Sequence, residues 1–277
     1  MDTRTEITFL GTGTSIGVPV IGCDCGVCTS DDPKNKRLRS SIHVKTPEVE
    51  FVVDTGPDFR QQCLREGIRD LDAALYTHSH SDHVMGFDDL RRFTVLDEES
   101  LEIFANDECL ERLRSAFHYV FDGENRYRGY LKIEPRRITG PFLVGDLEVT
   151  PLPVSHGKVE TLGFLFAREG RRLFAYIPDA KELSEETREG IAGIDLLILD
   201  GLQPEPHWTH LSIGEAVDLA RELEVEATWL THFSCRVDYA ALEPGLPPGV
   251  RLAWDGLRLR AEAGSALDRI GWSTQGG

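Results

Sequence analysis

The chain has 277 residues, of which 40% are hydrophobic and 28% charged, and its formal net charge is −17. So acidic a balance argues against a nucleic-acid backbone as the main partner, because phosphate tracking needs a basic face; a small phosphorylated substrate stays open, since a bound metal can dominate the local field. No run reaches the length of a membrane span, and residues 1–6 carry no apolar signal region, which predicts a cytosolic protein.

A strand over residues 7–10 runs into Gly11, Gly13 and Gly17. The spacing is not G-x-G-x-x-G, and Pro19 and Gly22 interrupt any helix behind it. The stretch therefore predicts a tight turn that brings backbone close to a neighbour, not a dinucleotide loop. Cys23, Cys25 and Cys28 follow, with Gly22 and Gly26 to bend the loop. Three thiols so close predict a thiolate metal site that takes its fourth ligand from elsewhere, and in a reducing compartment clustered cysteines bind metal more often than they pair. Lys34, Lys36, Arg37 and Arg39 are too few and too mixed for a nucleic-acid arm and predict a solvated loop. Strands are expected over 41–44 and 48–53, the second closing at Asp54; then a helix over 61–66 that carries Cys63, and a strand over 71–76.

That strand runs into His78, Ser79, His80, Ser81, Asp82 and His83. Three imidazoles and a carboxylate on a turn at the carboxyl end of a strand occupy the place where α/β sheets put their sites, and they suit zinc, iron or manganese. A helix over 81–93 and an edge strand over 101–105 follow. Asn106 is a helix N-cap with Asp107 and Glu108 in the first turn, and Leu110, Leu113 and Phe117 form the stripe of that helix, with Cys109 inside it. The aromatic and basic stretch 119–137, with Arg126, Arg128, Arg136 and Arg137, is a substrate-side loop, a partner surface or plain solvated charge. His43 and His118 are expected in the core or on the surface.

The second half follows the same theme. A strand over 147–154 closes at Ser155-His156, and a hairpin over 162–177 turns at Glu169-Gly170 and closes at Pro178-Asp179. The almost wholly apolar stretch 194–199 predicts a strand buried on both faces, closing at Asp200. Ser212 to Glu215 is a capping box in front of an apolar stripe at Val217, Leu219, Ala220 and Leu223. Residues 227–231 form a strand closing at His232, and 250–260 a last strand pair around Asp255-Gly256. One domain over 1–265 and a loose tail over 266–277 are expected.

Strands thus end at Asp54, His78, His156, Asp179, Asp200 and His232. If these ends share an edge, they offer more ligands than one metal needs. Two metals sharing a carboxylate is the economical arrangement, and such pairs serve hydrolysis, of phosphate esters in particular.

The H-x-H-x-D-H run from His78 to His83, with His156, Asp179 and His232 following in order, resembles the metallo-β-lactamase fold superfamily over nearly the whole chain. The resemblance implies an α/β fold, an αββα sandwich of two mixed sheets packed face to face with helices outside. It implies that His78, His80 and His156 hold one divalent metal, zinc or manganese; that Asp82, His83 and His232 hold a second; that Asp179 bridges them; and that Asp54 orients a ligand histidine. Phe9 to Gly13, then Gly17-Val18-Pro19 and the Cys23, Cys25, Cys28 loop, are similar to the PhnP-type phosphodiesterases, which act on phosphoribosyl 1,2-cyclic phosphate. That closer likeness implies a structural zinc on the three loop cysteines and on the residue three places after His232. The family has histidine there and this chain has Cys235, so a Cys₄ zinc is expected, with Lys34, Lys36, Arg37 or Arg236 offsetting its charge. Asp82 and His210 are the expected catalytic residues: a metal-bridging hydroxide attacks phosphorus and His210 assists the departing oxygen, with His207 as the competing assignment. Rival readings are tRNA 3′-end processing, hydrolysis of a lactone or thioester, an accessory protein of pyrroloquinoline quinone synthesis, and, from a different class, a non-catalytic zinc-binding accessory or scaffold protein. The expected partner is a small phosphorylated substrate, with no membrane; a homodimer is favoured only by the resemblance.

Overall fold

A computed structural model describes residues 4–95, 100–122 and 129–261. Two sheets face each other. The first has seven strands: β1 (Thr5–Gly11), β2 (Ser41–Lys45), β3 (Glu50–Val53), β4 (Ala73–Leu75), β5 (Leu101–Ala105) and β6 (Ile133–Arg137) lie side by side, and β15 (Arg258–Ala261) closes the free edge of β1. The second comprises β7 (Phe142–Val144), β8 (Leu147–Ser155), β9 (Thr161–Arg168), β10 (Arg171–Ile177), β11 (Glu182–Leu183), β12 (Leu196–Asp200), β13 (Ala227–Thr231) and β14 (Val250–Leu252). Each sheet is mixed, with antiparallel hairpins on one side and parallel pairs, β3 to β6 and β10 to β14, on the other.

Phe51 of the first sheet stacks on Phe166 of the second at 5.7 Å, within one core that also takes in Ile42, Phe164, Phe174 and Trp229. Two further cores lie under the helices. On the outer face of the first sheet, α1 (Phe59–Glu66) and α4 (Asp107–Ala116) bury Phe59, Cys109 and Leu113 against Val52, Ala74 and Ile103. On the outer face of the second, α6 (Glu185–Ile191) and α7 (Ile213–Glu222) bury Ile191, Ala216 and Leu219 against Ala175, Leu197 and Leu230. Every residue of β12 is buried, as its apolar run predicted. The result is the αββα sandwich. The Asn106 cap on Cys109 N and the Ser212–Glu215 capping box both form.

Three local expectations fail for physical reasons. The helix over 81–93 is broken into α2 (Ser81–Val84), a 3₁₀ turn (Phe87–Leu90) and α3 (Arg91–Val95). Gly86 N donates to Thr55 O and not to the carbonyl four residues back. A Cβ at Gly86 would lie 2.1 Å from Gly56 O, so glycine lets two loops touch. Residues 101–105 are not an edge strand, because β6, placed in the expected loop 119–137, pairs with them in parallel. The turn α5 (His118–Phe121) overlaps the start of that loop; Arg126 and Arg128 lie outside the described residues, as does the tail 266–277. Residues 250–260 do not form a hairpin: β14 joins the second sheet and β15 the first. Asp255 explains the crossing. Its carboxylate accepts from Thr12 N, Thr12 Oγ1 and Leu38 N at 2.8–2.9 Å, which pulls the chain across to β1.

The glycine-rich turn makes the expected close approach: a Cβ at Gly11 would meet Arg39 O at 2.0 Å. No helix among the described residues is long and apolar enough to cross a membrane.

Candidate functional site

The carboxyl ends of β3, β4, β8, β10, β12 and β13 meet at one place between the sheets. Asp54 and His232 follow β3 and β13 at φ +67° and +63°, backbone that costs a non-glycine residue energy and collects at functional sites. The structure brings together His78, His80, Asp82, His83, His156, Asp179 and His232, with ligand-capable atoms in groups no wider than 4.8 Å: His78, His80 and His156; Asp82, His83 and His232; His78, His83 and Asp179; and His156, Asp179 and His210. His80 Nδ1 lies 2.8 Å from His78 Nε2 and 3.3 Å from His156 Nε2. His83 Nε2 lies 3.2 Å from Asp82. Asp179 sits between the sets, 3.1 Å from both His83 and His232 and 3.9 Å from His156.

The far nitrogens of four rings are held from behind. Thr77 Oγ1 donates to Asp54 Oδ2 and so accepts from His78 Nδ1 at 3.0 Å. Ser40 Oγ donates to Gly13 O and so accepts from His232 Nδ1 at 3.0 Å. Asp54 accepts from His83 Nδ1 at 2.8 Å, and Thr209 O accepts from His156 Nδ1 at 3.0 Å. Each partner fixes an Nδ1–H tautomer and turns the Nε2 lone pair inward, as metal-binding histidines require. Burial pushes His78 and His156 down and His232 down to about 3, so these rings are neutral and able to act as ligands. His83 differs. Burial opposes its charge, but Asp179, Asp82 and Asp54 outweigh burial and raise it. Burial likewise opposes ionisation of Asp82 and Asp179, and the surrounding histidines hold both carboxylates low. His83 Nε2 and Asp179 Oδ2 are buried without a hydrogen-bond partner although they lie 3.1 Å apart. Ionised carboxylates, inward imidazole nitrogens and two orphaned buried atoms at one point fit divalent cations.

His210 stands over this centre, its ring 5.0 Å from that of His232 and 4.6 Å from that of His156. Its Nδ1 lies 2.7 Å from Asp200 Oδ2. Burial raises Asp200 to about 7, and Asp200 in turn overrides the effect of burial on His210 and raises it, so the pair retains a proton near neutrality. Asp200 was legible as a strand end and His210 from the resemblance; their pairing was not. His207 lies outward, its ring 5.3 Å from that of His210, with Nδ1 on Thr209. His43 packs against Glu50 at 3.3 Å, outside the centre, and His118 lies against Tyr119. The pocket over the centre measures about 470 Å³ and has Ser15, Lys158 and Trp208 on its outer side, none of them singled out by the sequence.

The second cluster joins Cys23, Cys25, Cys28 and Cys235, their Sγ atoms within 4.8 Å of one another. Val20 N donates to Cys28 Sγ at 3.2 Å and Cys28 N to Cys25 Sγ at 3.5 Å. That second bond lowers Cys25 to about 7, while burial raises Cys28 to about 12. Four convergent thiols fit one zinc. Of the four cations expected to offset its charge, Lys34 lies over the Tyr239 and Trp254 rings and Arg236 pairs with Glu205. Lys36 binds Cys28 O, and the buried Arg37 donates to Ser234 O. Phe233 links the clusters: its N–H donates to Thr12 O and its carbonyl accepts from Thr14 N. Cys63 and Cys109 lie in α1 and α4, away from both.

Residues 50–233 match the model of the Beta-lactamase superfamily domain. Over 257 residues the chain is 38% identical to the octanoyltransferase of Porphyromonas gingivalis strain W83; the match takes in 90% of this chain and spans half the length of that relative. The structure of a new diphosphatase from the PhnP family is 36% identical and superposes with a TM-score of 0.86, over 95% of this chain and 99% of that one. The fold also matches Zn(2+)-bound PqqB from Methylobacterium extorquens, 22% identical, with a TM-score of 0.74 over 92% of this chain and 99% of that one.

Proposed function

We propose, for a chain that belongs to the β-lactamase superfamily and is a metallo-β-lactamase-fold hydrolase of PhnP-like type, that it hydrolyses a small phosphodiester at a dinuclear centre. One observation carries this reading: Asp179 lies between two imidazole-rich groups, 3.1 Å from His83 and His232 and 3.9 Å from His156, and the proton-bearing pair His210–Asp200 faces the same point. In the proposed assignment His78, His80 and His156 hold one ion, Asp82, His83 and His232 the other, and Asp179 both; Cys23, Cys25, Cys28 and Cys235 hold a structural zinc. When bound, two such ions supply hydroxide at neutral pH and draw charge from the phosphoryl oxygens.

The chain's own residues do the rest. Asp54, Thr77, Ser40 and the Thr209 carbonyl fix the ligand rings before substrate arrives, so little reorganisation is left for the reaction. Asp200 holds His210 by Nδ1, which leaves Nε2 to give its proton to the departing oxygen. Residues from both sheets line the pocket in which the reacting phosphorus would sit.

The test is a substrate panel on chain reloaded with zinc or with manganese: bis(p-nitrophenyl) phosphate, cyclic ribose phosphates, a dinucleoside diphosphate, a lactone and a thioester. The diphosphate belongs there because the 36% identical structure is called a diphosphatase. Turnover of a phosphodiester that vanishes in Asp82→Ala is the expected result. Turnover of the lactone or thioester alone would replace this reading.

A further inference from the structure

Hydrolysis at the centre does not account for the outer side of its pocket. There stands Trp208, 82% exposed. Indole is among the side chains most costly to leave in water, and exposed aromatic surface at a pocket mouth marks binding. The fold does not need it there, because its neighbours already hold the turn. Thr209 N and Oγ1 contact His207 Nδ1 at 3.3 and 3.2 Å, Thr209 O accepts from His156, and Leu211 N donates to Ala180 O at 2.7 Å. Trp208 is thus presented on a fixed backbone. Trp208 and His210 both line the pocket, and behind them the ring of His207 lies 5.3 Å from that of His210 and 5.8 Å from that of Trp208. Lys158 also lines the pocket, just beyond His156, exposed and without an acidic partner among the described residues. In a chain of net charge −17, an unpaired lysine beside a metal centre is placed for an anion.

We propose that Trp208 and Lys158 form the subsite for the part of the substrate that is not attacked: a nucleobase-sized planar ring stacks on Trp208, and Lys158 pairs with an anionic oxygen of the same molecule. The substrate class is then a nucleotide-type phosphodiester or diphosphate. This rests on the phosphodiesterase reading and narrows it. Ring stacking tolerates any base, so the subsite selects for an aromatic group and not for one nucleobase.

Two cyclic diesters test the subsite, 2′,3′-cyclic AMP with a base and ribose 2,3-cyclic phosphate without one. In Trp208→Ala the ratio of kcat/KM for the first over the second falls roughly tenfold, carried by KM, and Trp208→Phe restores most of it. AMP alone, titrated by tryptophan fluorescence, quenches the wild type, whereas ribose 5-phosphate does not; Trp208→Phe loses the quench, and Lys158→Ala weakens AMP binding more at low salt than at high. An unchanged ratio, or equal quenching by the two ligands, overturns the proposal. So does a Trp208→Ala protein that changes only its oligomeric state. If the wild type cleaves neither diester, the phosphodiesterase reading fails, and the AMP titration still decides whether the platform exists.

Discussion

The two candidate metal sites are built on opposite plans. Around the histidine–carboxylate centre, six strand ends from both sheets deliver buried side chains, and four of the rings are braced from behind by Thr77, Asp54, Ser40 and the Thr209 carbonyl. The cysteine cluster is made by one loop and a single residue from another segment, three of its four thiols are only half-buried, and the bonds to its sulfurs come from backbone N–H groups of that same loop. The first site is organised by the fold before any ion arrives. The second has no side-chain braces behind its ligand atoms among the described residues, so an ion bound there would contribute more to holding the loop in place. Removing a brace should therefore damage the first site in affinity and rate, and removing a ligand should damage the second in local stability.

After the loss expected of Asp82→Ala, the largest effect is expected at His210. His210→Ala should lower kcat by about 10²–10⁴-fold, the range of a lost general acid, with the metal content of the histidine centre unchanged. Loss of an ion together with activity would make His210 a ligand alongside His156 and Asp179, an assignment the distances also permit. Ser40→Ala sharpens the comparison most directly. Ser40 touches no substrate, yet it alone sets the tautomer of His232. Metal affinity of the centre should fall by about 10–100-fold, as losses of such partners do, and excess metal should restore kcat. A variant with wild-type affinity would mean that the fold around β13 holds His232 without it.

Much of the first plan was legible in the sequence, because a strand buried on both faces gives an apolar run and a ligand gives a polar full stop. Asp54, His78, His156, Asp179, Asp200 and His232 all closed such runs, and the structure places all six around one point. The bracing was not legible. Ser40 and His232 are 192 positions apart, and Asp200 meets His210 only because the segment between β12 and α7 folds back on Ala180. Periodicity also missed the break at Gly86, where one tertiary hydrogen bond to Thr55 outcompetes the helix, and it read β14 and β15 as a hairpin when Asp255 sends the chain to the other sheet. Each miss is a contact between distant segments, which no local pattern encodes.

Cys235→Ser probes the weaker plan. It should cost one tightly held zinc per chain and lower the melting temperature, and because Phe233 ties that loop to Thr12 and Thr14, kcat/KM should fall only a few-fold, far less than in His210→Ala. Elemental analysis beside kinetics checks it. Full activity with the zinc gone would cut the link between the two sites.

The smallest effect tests whether both sites hang on one frame. Asp255 accepts from Thr12 and Leu38, and Arg65 Nη1 reaches it at 3.2 Å; Thr12 carries the Phe233 contact, and Leu38 follows Arg37 of the cysteine side. Burial raises its carboxyl from the usual 3.8 to about 6 despite those donors. The folded state therefore binds a proton over a range where the unfolded chain has lost it, so this group's contribution is full below about pH 4 and is lost as pH rises through about 6. Asp255→Asn cannot titrate. Its amide also turns a donor toward the Leu38 and Arg65 donors, so the variant should be less stable overall by about 1–3 kcal/mol. The stability of the wild type relative to the variant, from urea unfolding at pH 4.5 and pH 7, should be greater at the lower pH. A gap that stays level or widens toward pH 7 would show that Asp255 is ionised throughout and that Arg65, at the protein surface, governs the junction instead of burial.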